Sequence, residues 1–271
     1  MAIVTIVAIL GTMAVQPALA GSFGLQNQWC LNPPAGSPNC GNTGLQASGP
    51  ISNSIGNTYV FGPGANFTGS MAETSNYGNL YASGYGSVTN STTNGALGYV
   101  GEYDSPGFDV GGAPLAFYED VLTITGSGPV NIQFTDVFSS SLSSSASAEV
   151  SLTDELIVGG TWDNFLYNSG TATNVLTFNP GEQVTIEEGI LGGGAAFAPN
   201  LAPPALTPNF SYLGSDPLYI DVLTPGGGYS AASGTEYPAF DISAVPEPDS
   251  FLLLGTGLIS FAGFVRSRKR S

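Results

Sequence analysis

Carboxylates are the only side chains in the body of this chain that offer acid–base or hard-metal chemistry at neutral pH. The 271 residues include 20 Asp and Glu, four Lys and Arg, and no His. All four bases, Arg266, Arg268, Lys269 and Arg270, fall in the last six positions, and two acids, Glu247 and Asp249, shortly precede them. The rest therefore carries eighteen acids and no base. Two acid groupings have the composition of a calcium site: Glu102, Asp104 and Asp109 in a Gly/Pro loop, and Glu187 with Glu188 before Gly189. Calcium takes about six to eight oxygens, which loop carboxylates and carbonyls supply. Neither grouping fits an EF-hand or a glycine-rich nonapeptide repeat, so the simpler reading is solvated loop and strand-end acids. No metal site or cofactor is expected, and calcium is the single candidate.

The same composition excludes several function classes. Without His there is no Ser-His or Cys-His nucleophile and no imidazole metal ligand. A glycoside hydrolase can run on two carboxylates, but such sites usually add a base to grip hydroxyls and hold the acid pair. A non-enzymatic protein is the expectation, with a carboxylate-only hydrolase as the weakest alternative. Nucleic acid is repelled by such a body. No internal salt bridge can form there, so each acid must be solvated, hydrogen-bonded or bound to a cation.

Cys30 and Cys40 are the only cysteines, and three prolines and a glycine lie between them. No base is present to activate a thiol, so a disulfide is expected, worth about 2–3 kcal/mol for so short a loop. Trp29, Trp162 and the row Tyr77, Tyr81 and Tyr85 are candidates for stacking on sugar rings. The i, i+4, i+8 spacing of the tyrosines predicts one face of one strand. Core packing or cross-strand pairing is the simpler reading.

The two ends have a different character. Ala2 to Val15 is apolar and uncharged, although no basic residue precedes it. Ala18-Leu19-Ala20 places small residues before Gly21, as a signal peptidase requires, which predicts a signal peptide over residues 1–20. At the other end Val245-Pro246-Glu247-Pro248 precedes the uncharged stretch Ser250 to Val265 and then the basic cluster. Those 16 residues span only ~24 Å as a helix, a marginal fit to a hydrocarbon core of ~30 Å. Cations that follow an apolar run stay on the cytoplasmic side and stop transfer, so the acidic body is expected outside.

This triple of Pro-Glu-Pro, short apolar helix and basic end resembles the PEP-CTERM sorting signal of Gram-negative bacteria. The resemblance covers about a tenth of the chain. It implies recognition by an exosortase, a membrane-embedded cysteine protease, which with the signal peptidase is an expected partner during export. It further implies an inner-membrane-anchored precursor that ends at the cell surface or outside the cell. Proteins of this kind are mostly surface or matrix components of bacteria that make exopolysaccharide, and exopolysaccharide is the partner it suggests.

The elements between the ends read as strands. Residues 21–56 are rich in Gly, Pro and Asn, which predicts an irregular lead tied by the disulfide, with regular structure from about Asn57. Phe117 to Thr125 and Val130 to Asp136 flank Gly126-Ser127-Gly128-Pro129 and read as a β-hairpin. Ala146 to Leu152 and Asn174 to Phe178 alternate, and Asn179-Pro180-Gly181-Glu182 turns the chain into Gln183 to Glu187. Gly192 to Pro208 reads as a crossing segment, followed by a strand pair near Phe210–Leu213 and Leu218–Leu223. The run Ser139 to Ser145 reads as a linker or as a polar edge strand or loop, and one domain is expected over 57–244. The expected fold is all-β, a two-sheet antiparallel sandwich of jelly-roll or immunoglobulin-like type. A signal helix and a C-terminal transmembrane helix flank it, the latter within a tail of residues 245–271. Leu122 to Thr125 and Leu176 to Glu182 also resemble the middle of many PEP-CTERM bodies, which again implies a sandwich. The expected function is an exported, non-enzymatic surface or matrix protein. The alternative is a calcium-dependent carbohydrate-binding module.

Overall fold

The computed structural model describes residues 24–32, 39–43, 45–47, 49–62, 64–89, 96–101, 115–167, 169–198 and 207–240. Among them every regular element is a strand: β1 (Gly24–Asn32), β2 (Asn39–Asn42), β3 (Ile51–Gly62), β4 (Ala65–Asn76), β5 (Asn79–Thr89), β6 (Ala96–Gly101), β7 (Ala116–Thr125), β8 (Val130–Ser144), β9 (Ala148–Val158), β10 (Trp162–Tyr167), β11 (Gly170–Phe178), β12 (Gln183–Ala198), β13 (Asn209–Val222) and β14 (Gly228–Ala231). The period-two alternation of apolar and polar residues that predicts strands is the alternation of burial observed, for instance along β4 and β13. The expected signal helix and C-terminal helix lie outside the described residues. Within them no helix is long and apolar enough to cross a membrane.

The strands form two antiparallel sheets. The eight-stranded sheet follows β10-β9-β12-β6-β1-β7-β14, with β2 on β1 and a further β12–β7 pairing. β7 and β6 occupy successive halves of the same edge of β12, at Gln183–Ile190 and Gly193–Ala198. The other sheet follows β11-β8-β13-β5-β4-β3. Their apolar faces share one core that includes Phe67, Tyr118, Phe134, Phe138 and Phe210, each such buried side chain contributing about 1.5–3 kcal/mol.

Several expectations are corrected. β7 and β8 are not a hairpin: β7 pairs with β1, β12 and β14, and β8 with β11 and β13. Gly126–Pro129 instead carries the chain from one sheet to the other, because both edges of β7 are taken by other strands. The turn at Asn179–Glu182 makes the same kind of crossing between β11 and β12, with Gly181 at φ +84°. The lead is not irregular, since β1, β2 and the first half of β3 lie before Asn57. Leu25 and Leu31 are fully buried there. The expected crossing begins later than Gly192, since β12 runs to Ala198. The last strand pair is one continuous strand, β13, in spite of Gly214 and Pro217. The serine run extends β8 and pairs with β13 on one side, while β11 ends opposite Phe138, so it is a polar strand edge and not a linker.

Strand glycines have a packing role. A Cβ on Gly86 or Gly194 would lie 2.3 or 2.2 Å from the Phe210 ring, and one on Gly84 would lie 2.2 Å from that of Tyr212. The rings lie across bare backbone. The described strands fall in a unit that ends at Pro238, and residues 239–271 form a second unit.

Candidate functional site

Four strands place a carboxylate where their alternation calls for a hydrophobe. On β8 the inward row is Val130, Ile132, Phe134, Asp136 and Phe138, and on β9 it is Leu152, Asp154, Leu156 and Val158. On β12 it is Val184, Ile186, Glu188 and Ile190, and on β13 it is Tyr212, Asp216, Leu218 and Ile220. Because side chains two apart share a face, all four acids are directed into the core. Antiparallel register then gathers them. Asp154 lies opposite Ile190 and Glu188 opposite Leu156, so those two acids are diagonal neighbours in one sheet. Asp136 lies opposite Leu218, two residues from Asp216, in the other sheet. The two pairs meet between the sheets, and one oxygen from each of the four lies within 4.8 Å of the others.

All four are fully buried. Among the described residues a single donor reaches them: the Asn164 amide on β10 donates to Asp136 Oδ2 at 3.2 Å. Asp136 Oδ1 and both oxygens of Asp154, Glu188 and Asp216 have no hydrogen-bond partner, and neither does the buried hydroxyl of Tyr118. Tyr118 is the direct cross-strand partner of Glu188. Burial pushes the Asp136 carboxyl up to about 8, with the negative charge of Asp216 adding to it. Asp154 and Glu188 are held well above the carboxylate range, first by burial and then by the charge of Asp216. The Tyr118 phenol is also raised, by burial and then by Glu188.

A second buried acid shows what a self-sufficient carboxylate looks like in this fold. Asp120 on β7 accepts from Val121 N at 2.8 Å, Ser233 N at 3.1 Å and Tyr237 Oη at 2.8 Å, and also from Ser233 Oγ. These donors fasten the segment after β14 to the core. The four-acid cluster has no such set. Taking up a proton at pH 7 costs an ordinary aspartate roughly 4 kcal/mol. Protonating Asp136, Asp154 and Glu188 together approaches the whole stability of a domain, roughly 5–15 kcal/mol. Chemically, the cluster can hold shared protons or a hard cation.

The acid groupings expected from sequence are placed differently. Glu187 and Glu188 do not act together: as neighbours on β12 they point to opposite faces, Glu188 into the cluster and Glu187 across from Glu119 on β7. Glu102, Asp104 and Asp109 lie outside the described residues. So do Ala18, Ala20, Gly21, Val245, Pro246, Glu247, Pro248, Arg266, Arg268, Lys269 and Arg270. Cys30 and Cys40 face each other in the β1–β2 register, at a separation that suits a disulfide. The side chains of Cys30 and Trp29 are outside the described set. The tyrosine row is broken: Tyr77 sits in the β4–β5 turn, buried, with its ring 6.0 Å from that of Tyr118. Tyr81 and Tyr85 do share the outer face of β5 and are partly exposed. Trp162 is half-buried, 6.4 Å from the Phe134 ring.

Among known proteins, the match is to the end of the chain. Residues 244–269 match the PEP-CTERM protein-sorting motif. The chain carries a PEP-CTERM sorting signal. That signal implies exosortase processing and export through a membrane-anchored precursor to the cell surface. A search of curated proteins finds no match. The PEP-CTERM motif and the β-rich body occupy separate parts of the chain, and the motif bears on the route taken by the body, not on its chemistry.

Proposed function

We propose that this chain is a non-enzymatic component of the cell surface or extracellular matrix, delivered by exosortase and associated there with exopolysaccharide. The observation that carries the proposal is the PEP-CTERM motif at 244–269, joined to a body with no Lys, Arg or His before Arg266. A signal peptidase acts at Ala20–Gly21, and Cys30 and Cys40 close as a disulfide in the oxidising compartment. The body is a sandwich of jelly-roll or immunoglobulin-like kind. A hydrolase gains nothing from the four-acid cluster, because its carboxylates face the core and not a cleft. A carbohydrate-binding module is the second reading, favoured by Tyr81 and Tyr85. Four residues apart on an exposed strand face, they stand about 13 Å from each other, a spacing that suits sugars two or three positions apart along a glycan.

Mass spectrometry of the protein recovered outside the cell tests the route. The expected species begins at Gly21 and lacks the basic end, and neutral replacement of Arg266, Arg268, Lys269 and Arg270 stops its delivery. Extracellular protein intact to Ser271 would refute processing. Cosedimentation with the host's exopolysaccharide tests the association, which is expected to weaken when Tyr81 and Tyr85 are changed to Ser.

A further inference from the structure

Each sheet of this molecule contributes two buried acids to one point, and among the described residues no base is present to neutralise them. Asp154, Glu188 and Asp216 lack any donor for either oxygen, and the hydroxyl of Tyr118, beside Glu188, is equally unpaired. Asp120 in the same core has four donors, so burial of acid here does not by itself imply neglect of its oxygens. We propose that Asp136, Asp154, Glu188 and Asp216, with Tyr118 at their margin, form a calcium site that fastens the two sheets together.

The donor set selects the ion. Four carboxylates provide up to eight oxygens and no nitrogen or sulfur, which suits a hard cation and disfavours zinc or copper. Oxygens on opposite sides of calcium stand about 4.6–5.2 Å apart, whereas magnesium draws them to about 4.0–4.2 Å. The ligand atoms lie within 4.8 Å of one another, a span wide enough to admit calcium. Magnesium also keeps several waters, for which an apolar surround of Phe138, Leu152, Leu156 and Ile190 offers no partners.

The test uses the full chain in mild detergent, stripped with a chelator and titrated with calcium chloride or magnesium chloride alone. Calorimetry is expected to give one calcium per chain. The melting midpoint should rise by about 5–10 °C at a hundredfold excess over Kd, with a clearly smaller response to magnesium. Asp216→Asn combined with Glu188→Gln should abolish the calcium response and melt above the calcium-free wild type, because two buried acids that lack any donor are gone. Asp104→Asn should keep the full response. If the double variant does not fold, terbium bound in place of calcium decides, since Tyr118 beside the ion sensitises its emission and Tyr118→Phe removes most of it. A wild-type midpoint and heat unchanged by about 10 mM calcium would overturn the proposal. So would a calcium response retained in the double variant, an equal response to magnesium, or terbium emission unaffected by Tyr118→Phe.

Discussion

Glu73→Gln is expected to make this protein more stable at alkaline pH and to leave it nearly unchanged at pH 5. Glu73 lies on the inward row of β4, between Met71 and Ser75, and is fully buried. It accepts from the Asn53 amide at 3.2 Å. Burial dominates that hydrogen bond and pushes the carboxyl from 4.5 up to about 8. The folded state therefore holds the Glu73 proton over a pH range in which the unfolded chain has already released it. Stability from this group is complete below about pH 4.5 and falls as pH rises toward 8, since there the native state binds more protons than the unfolded state. At about 1.36 kcal/mol per pH unit the full displacement amounts to roughly 5 kcal/mol. Relaxation and water penetration around the charge reduce this to on the order of 2–4 kcal/mol. For a domain of this size that is roughly 5–15 °C in the midpoint. The assay is thermal melting followed by circular dichroism from pH 5 to 9, with wild type and variant compared at each pH. Subtracting the two curves removes the contribution of the other buried acids. A difference that stays flat from pH 5 to 9, or that shrinks toward pH 9, would refute the reasoning.

Two further expectations concern packing and hydrogen bonding. Gly86→Ala places a methyl 2.3 Å from the Phe210 ring, an overpacking of about 1–3 kcal/mol that shows as a lower midpoint. Phe210→Leu in the same background should recover part of the loss, and no recovery would mean that the ring is not what the glycine accommodates. Tyr237→Phe deletes the hydroxyl that donates to Asp120 Oδ2 at 2.8 Å and should cost about 1–3 kcal/mol in urea unfolding, the range for a buried acceptor deprived of a donor. The companion Tyr229→Phe, whose hydroxyl donates at 3.4 Å to the Tyr237 carbonyl, should cost less.

How much of this was legible in the sequence depends on the range over which the physics acts. Alternation is local, so the strand character of Val130–Phe138, Leu152–Val158 and Val184–Ile190 is written in neighbouring residues. Edge pairing is not local. Gly126–Pro129 has the composition of a hairpin turn, and only the occupation of both β7 edges by β1, β12 and β14 makes it a crossing between sheets. Glycine misleads for a related reason. In Ser83-Gly84-Tyr85-Gly86 it reads as turn chemistry, but its function is set by Tyr212 and Phe210, more than a hundred positions away. The sorting tail is the opposite case, since its three features are contiguous and a linear reading recovers them.

The four-acid cluster lies between these cases. Each member carried a local signal: Asp136 falls in phase with Ile132, Phe134 and Phe138, and Glu188 with Ile186 and Ile190. A carboxylate on the apolar phase of a strand is either misassigned or compensated, because an uncompensated buried charge costs several kcal/mol. Reading acids by proximity in sequence instead selected Glu187 with Glu188, which a two-residue period sends to opposite faces. What the phase cannot give is the partner. That Asp136 meets Asp154 follows from β8 and β9 lying in different sheets whose inner faces oppose, and that Glu188 sits diagonal to Asp154 follows from the register of Ile190 with Asp154. In a chain with no base before Arg266, every acid on an inward phase needs either donors from its neighbours or something from solution. Asp120 has the donors, and among the described residues the cluster between the sheets has Asn164 alone.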